Sequence, residues 1–141
     1  MAQRMLSHLI QRQHQLIDEK MSQLARARGC DMTLAQRTVF NLASQQIITL
    51  SELAQYLTIS RQAVQKTVAV LVEKKWVKLV PHPDNRAAKV VIITEQGQMV
   101  RQQQQQVVRE VELNLYQQLG EDKAKLLQQL LNEEWQIDNI G

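Results

Sequence analysis

The chain has 141 residues, 44% of them hydrophobic and 22% charged, and a formal net charge of +3. Those figures fit one compact domain with a buried core and exclude a disordered chain. No apolar run nears the roughly 20 residues of a membrane span, the start MAQRMLSHLI has no apolar leader-like centre, and a lone cysteine rules out an intramolecular disulfide framework; the expected address is cytoplasmic.

From Met5 to Arg28 the residues Leu6, Leu9, Ile10, Leu16, Ile17, Met21 and Leu24 recur at helical spacing. Gly29 is a natural residue to end that helix in the left-handed conformation. His8 and His14 stand six apart on it, a poor spacing for a shared metal, and His82 is far along the chain. No metal or other cofactor is expected. Cys30 follows the helix, with Arg26 and Arg28 near it and Asp31 beside it. The expected reading is an inert, half-buried thiol, with redox sensing through Cys30 as an alternative.

Thr33-Leu-Ala-Gln36 is a capping box, so a second helix starts there and runs to about Ser44. Thr49-Leu-Ser-Glu52 is another box, starting a third helix through Leu57. Ser60 caps a fourth, to about Lys75, with Val64, Val68, Leu71 and Val72 inward. Two short amphipathic helices separated by Thr58-Ile59 spell a helix-turn-helix. Such a unit needs a small residue where the helices cross, an apolar one in the turn and another inside the second helix. Ala54, Ile59 and Val64 fill those places, and Leu53 and Leu57 complete the inner face. Thr58 stands where glycine often eases the turn.

With that face inward, Arg61, Gln62, Gln65, Lys66 and Ala69 turn outward. Arg61 can fork onto guanine N7/O6, and Gln62 and Gln65 can pair with adenine N6/N7 in a DNA major groove. Ser60, Thr67 and the helix N-terminus suit phosphate oxygens. Lys66 suits either. The plainer reading is a solvated helix surface.

Trp76 to Val80 reads as a strand, Pro81 to Arg86 as a turn, and Val90 to Ile93 as the returning strand. Pro81 and Pro83 fall where no ladder hydrogen bond is needed. Asp84-Asn85-Arg86 forms a tight tip that holds Arg86 outward, and Asp84 is expected to orient it by an ion pair. An arginine on a narrow tip fits the A·T-rich minor groove. Lys78 and Lys89 flank the tip within reach of phosphates. Between Thr58 and Val90 seven cations face only Glu73 and Asp84, a local +5 within a chain of +3, so the remainder sums to −2. A basic patch on a mildly acidic remainder is the footprint of a phosphate-binding face.

Thr94 caps a long helix to Leu119. Gly120 breaks it. Glu121 to Gln136 then forms a last helix with Leu126, Leu127, Leu130, Leu131 and Trp135 on one side, and with Glu121 and Asp122 suited to its N-terminus. The run Gln102 to Gln106 reads as an exposed helix turn. The first helix and the last two offer more apolar surface than the small central unit, Leu34 to Ile93, covers. Two copies burying these ends together is the economical arrangement; a monomeric helical cap is the alternative.

Five segments together give the chain a family resemblance. They are Leu50-Ser-Glu-Leu-Ala54, Ser60-Arg-Gln-Ala-Val64, the Lys74-Lys75-Trp76-Val77 junction, Asp84-x-Arg86 and Thr94-x-x-Gly97. The chain resembles the multiple-antibiotic-resistance regulator (MarR) family of bacterial winged-helix regulators along nearly its whole length. The resemblance implies a mainly α fold with a small β-hairpin wing. One domain over 1–141 would comprise a winged-helix DNA-binding lobe at 33–93 and helical dimerisation segments at 1–28 and 94–141. It further implies a homodimeric repressor on a pseudo-palindromic double-stranded operator, released by a small anionic or phenolic ligand or by oxidation. The stretch from Asp84 to Thr94 is one residue longer than the family's usual wing, which leaves the register of Lys89 open.

Other classes fare less well. No Ser-His-Asp set, Gly-rich phosphate loop or carboxylate pair supports an enzyme. A winged helix used as a protein-interaction module would keep the core but would not need Arg61, Gln65 and Arg86 facing outward.

Overall fold

A computed structural model describes residues 4–141. The first three residues of the 1–28 segment therefore lie outside the described residues. The order is α1 (Leu6–Ala27), α2 (Leu34–Gln45), α3 (Leu50–Leu57), α4 (Arg61–Glu73), β1 (Val77–Pro81), β2 (Lys89–Ile93), α5 (Glu95–Leu119), α6 (Glu121–Asn132) and a 3₁₀ turn, Ile137–Asn139. The expected mainly helical winged helix with a two-stranded antiparallel hairpin is present. Among the described residues no helix is long and apolar enough to cross a membrane.

Polar caps start the helices of the central region. The Thr33 hydroxyl accepts the Gln36 N–H at 3.2 Å, and the Gln36 side chain returns the favour to the Thr33 N–H at 3.0 Å. The Thr49 box closes only halfway. Its hydroxyl accepts the Glu52 N–H at 3.1 Å but donates to the Glu52 carboxylate at 3.0 Å, so the Thr49 backbone N–H gains nothing from that side chain. Ser60 accepts the Ala63 N–H at 3.1 Å.

Three helices end in the same way. At the end of α1 the Cys30 N–H reaches the Ala25 carbonyl and the Gly29 N–H reaches Arg26. At the end of α3 Ile59 reaches Ala54 and Thr58 reaches Gln55. At the end of α4 Trp76 reaches Leu71 and Lys75 reaches Val72. This paired 6→1 and 5→2 pattern is the Schellman motif, which requires a left-handed residue at its corner. Gly29 takes that conformation freely at φ 68°, but the other corners are Thr58 at φ 56° and Lys75 at φ 65°.

The chain divides into two compact units. One is Ser22–Gln105. Its core gathers Val39 and Phe40 of α2, Leu50 and Leu53 of α3, Val64, Val68 and Leu71 of α4, Val77 and Val91 of the hairpin, with Cys30, Ile48, Trp76 and Val100. Val72 corrects the expected inward face. It is about 80° round the helix from Val64 by the 3.6-residue period, and it is exposed. The β1–β2 register runs from Val77 opposite Ile93 to Pro81 opposite Lys89, with β1 displaced one residue from its expected bounds and β2 starting one residue earlier but ending at Ile93 as expected. The Thr94 N–H donates to Trp76 O at one end and the His82 N–H to Ala88 O at the other. Pro81 thus falls on a non-hydrogen-bonded rung, where its missing N–H costs the ladder nothing. On its outer edge β2 is bridged by Thr49, and Val91 donates to Ile48 O.

The other unit joins the chain up to Met21 with Gln106–Gly141. Val107, Val111 and Ala124 are its buried residues. The Tyr116 hydroxyl donates to the Gln128 side chain at 2.9 Å, and Lys125 pairs with Glu121 one turn away. The last helix is shorter than expected. It stops at Asn132, where Glu133 and Glu134 would have stacked two carboxylates on the negative end of the helix dipole. Trp135 leaves the helix stripe, and its indole N–H donates to the Leu130 carbonyl at 3.1 Å.

Candidate nucleic-acid interface

Burial of Val64, Val68 and Leu71 fixes the rotation of α4. Arg61, Gln62, Gln65 and Lys66 then stand on its exposed face. None of these four side chains makes a hydrogen bond or ion pair to the described residues, so their donors and acceptors stay free for an external partner. Ala54 is half-buried at the crossing and Val64 fully buried, as the helix-turn-helix pattern requires. Ile59 departs from it, being 38% exposed in the turn.

The three hydroxyl or amide groups assigned to phosphates differ. The N-terminus of α4 is open, with Ser60 accepting from Ala63 but still owning its hydroxyl proton. Thr67 corrects the expectation. Its hydroxyl donates to the Ala63 carbonyl at 3.1 Å. In that rotamer its proton is spent on the helix, and a phosphate oxygen offers none in return.

The wing starts at a braced junction. Lys74 lies over the Trp76 ring, 4.6 Å from its centroid. The Thr94 hydroxyl donates to the Lys75 carbonyl and accepts the Gly97 N–H, tying the start of α5 to the start of β1. The register settles Lys89: it opens β2 opposite Pro81. Cross-strand partners share a face, and faces alternate along each strand. Lys89 therefore shares the face of Val77, Leu79 and Val91, while Lys78 shares the other with Val80 and Val90. The two lysines are exposed on opposite faces of the hairpin.

The tip is held by other groups than expected. Asp84 and Arg86 form no ion pair within 4.0 Å. Both are exposed, where such a pair gains at most about 1 kcal/mol against side-chain entropy. His82 and Asn85 hold the turn instead. The Asp84 N–H donates to His82 Nδ1 at 3.0 Å, and the Ala87 N–H to Asn85 Oδ1 at 3.2 Å. The Asn85 N–H donates to His82 O, and the Ala88 N–H to Asn85 O at 3.0 Å. Arg86 is left exposed and unpaired at the tip. Asn-rich turns of this kind are a local signal that the sequence carries in Asp84-Asn85; the part played by His82 has no such signature.

Cys30 is fully buried, and its carbonyl accepts from the Gln104 side chain at 2.9 Å. Burial pushes its thiol up, with Asp31 adding to that and Arg28 opposing it. Such a setting disfavours the reactive thiolate form. His8 and His14 are exposed on α1, and no cluster of metal-ligating side chains occurs among the described residues.

The same architecture occurs in proteins of known structure. Residues 30–88 match the MarR family model. The reduced form of MarR from E. coli is 27% identical and superposes with a TM-score of 0.72, covering 93% of this chain and 96% of that one. A cysteine-to-serine mutant of E. coli MarR complexed with operator DNA is 27% identical over 89% of this chain and 90% of its own, with a TM-score of 0.64. A mutant of S. aureus MepR, at 19% identity, shares the fold with a TM-score of 0.79 over 91% of this chain and 94% of its own. No curated protein matches the chain.

Proposed function

We propose that the chain is a MarR-type, sequence-specific DNA-binding transcriptional regulator, acting as a homodimeric repressor on a pseudo-palindromic operator; the family-model match over residues 30–88 and the 27% identity to E. coli MarR support this reading. The observation that carries this is the outer face of α4. Four long polar side chains there have no partner among the described residues, on a stretch whose local charge is +5. A recognition helix is read by its N-terminal residues in the major groove. Arg61 supplies the guanine fork, Gln62 and Gln65 the adenine pairs, and Lys66 a base or phosphate contact. Ser60, Lys78 and Lys89 anchor phosphates, and Arg86 enters the minor groove. Solved MarR with operator DNA, similar to this chain, supports a DNA partner.

The dimer rests on surface that one chain leaves uncovered. No residue of α1 is buried, and Leu126, Leu127, Leu130 and Leu131 of α6 are each 45–56% exposed. Contiguous apolar surface of that kind marks an association site. A symmetric pair of recognition helices would then span half-sites one helical turn apart, roughly 34–36 Å. Release by a small anionic or phenolic effector completes the proposal. The buried thiol speaks against oxidation at Cys30 as that signal, and the free outward Arg61 and Arg86 speak against a module that binds only protein.

Selection of bound duplexes from a random pool tests this reading, run beside sedimentation of the free protein. Enrichment of a symmetric motif by a dimer is expected. Binding with no enriched sequence would remove specificity, and a monomer at micromolar concentration would remove the symmetric operator.

A further inference from the structure

We propose that Asn85 is a second minor-groove reader beside Arg86, selecting A·T over G·C pairs, and that His82 is the positioning residue that sets it. This rests on the DNA-binding reading above and goes beyond it. An asparagine amide has one acceptor end and one donor end. The Ala87 N–H occupies Oδ1, which orients the amide, and leaves Nδ2 with two donors and no partner among the described residues. The side chain is exposed at the tip, directly before Arg86.

A donor aimed at the minor groove discriminates. A·T pairs present only acceptors there, adenine N3 and thymine O2, whereas G·C adds the guanine N2 amino group, itself a donor. Asparagine and arginine are the side chains that read this pattern. Unlike Arg86, whose preference follows groove width and potential, Asn85 would respond to the amino group itself. The Asp84 carboxylate is the one acidic side chain at the tip, and the acceptor-lined groove keeps it turned to solvent.

His82 supplies the geometry. Its carbonyl accepts the Asn85 N–H at 3.3 Å and its Nδ1 accepts the Asp84 N–H at 3.0 Å. That bond occupies the Nδ1 acceptor. The imidazole thus cannot compete with Asn85 for the Ala87 N–H, and it pins the backbone just before it.

The test uses the full-length protein and the duplex recovered from a random pool, with its flanking pairs set to A·T, G·C or inosine·C. Inosine lacks the minor-groove amino group. Wild type should bind A·T and inosine·C flanks alike and G·C flanks more weakly. Asn85→Ser keeps an oxygen for the Ala87 N–H, stays neutral and is too short to reach a base edge. It should lower the A·T to G·C ratio about fivefold, the worth of one modest base contact. His82→Ala should lower the same ratio, and His82→Asn, whose Oδ1 can replace Nδ1, should restore it. An unchanged ratio in Asn85→Ser would overturn the proposal. So would an equal loss on all three flanks, which means a phosphate contact. Should wild type bind no recovered duplex, the DNA-binding reading itself falls.

Discussion

A Cβ on Gly97 would lie 2.1 Å from the carbonyl oxygen of Trp76 and 2.8 Å from Ile93 Cγ2. The first turn of α5 therefore presses directly on the backbone where α4 becomes the wing. That carbonyl cannot yield, because it accepts the Thr94 N–H at 3.0 Å. Gly97→Ala must push the two backbones apart, at a cost near the top of the overpacking range, about 3 kcal/mol. Urea unfolding at fixed protein concentration should show the midpoint falling with the slope unchanged. A loss below about 1 kcal/mol would mean that the junction is softer than its contacts imply.

Thr58 carries the opposite sign. It is a β-branched residue held at φ 56°, ψ 40°, a conformation in which non-glycine residues store of order 1–3 kcal/mol. Thr58→Gly removes that strain at an entropic cost of about 0.5–1 kcal/mol. The variant should be more stable, by roughly 1 kcal/mol, while Thr58→Ala keeps a Cβ and gains little. A destabilised Thr58→Gly would show that the turn is held by side-chain contacts instead of strained by its corner.

These two positions show what the sequence could and could not disclose. Capping boxes, apolar periodicity and the Asp-Asn turn are local, so helices and hairpin were legible to within a few residues, and so were the outward Arg61, Gln62, Gln65 and Lys66. The buried core set the rotation of α4, and Val72 was misplaced only because it sits at the edge of that face. What escaped depends on three-dimensional approach. Gly97 belonged to a recognisable motif, but its reason is a carbonyl 21 residues earlier. The turn-holding role of His82, the back-bonded Thr67 and the opposed faces of Lys78 and Lys89 follow from register and rotamer, which no spacing rule encodes. The one-residue excess in the wing was visible in the sequence, and only the observed pairing of Lys89 with Pro81 resolved it.

Burial raises the Cys30 thiol above its ordinary value of about 8.5. A group raised in the folded state favours folding while the protonated form prevails in both states. As pH climbs past the ordinary value, the unfolded chain ionises first and that stability is lost, until the folded thiol also titrates. Stability should therefore decline above about pH 8.5 more steeply for wild type than for Cys30→Ala. Peroxide at neutral pH should leave operator binding unchanged. Reversible loss of binding on oxidation, abolished in Cys30→Ala, would restore the sensor reading.

Base readers and phosphate anchors separate by their salt dependence. Arg61→Ala should cost about 1–3 kcal/mol on the selected operator and relax the sequence at one position. Weakening of all sequences equally would reassign Arg61 to a phosphate. Lys78→Ala and Lys89→Ala should instead weaken every duplex alike, each reducing the slope of log K against log salt by about 1. Because the hairpin register puts these lysines on opposite faces, they would neutralise different phosphates, and the double variant should lose about 2 in slope. A double variant no worse than either single one would mean that both reach the same phosphate, and would overturn the assignment to separate ones.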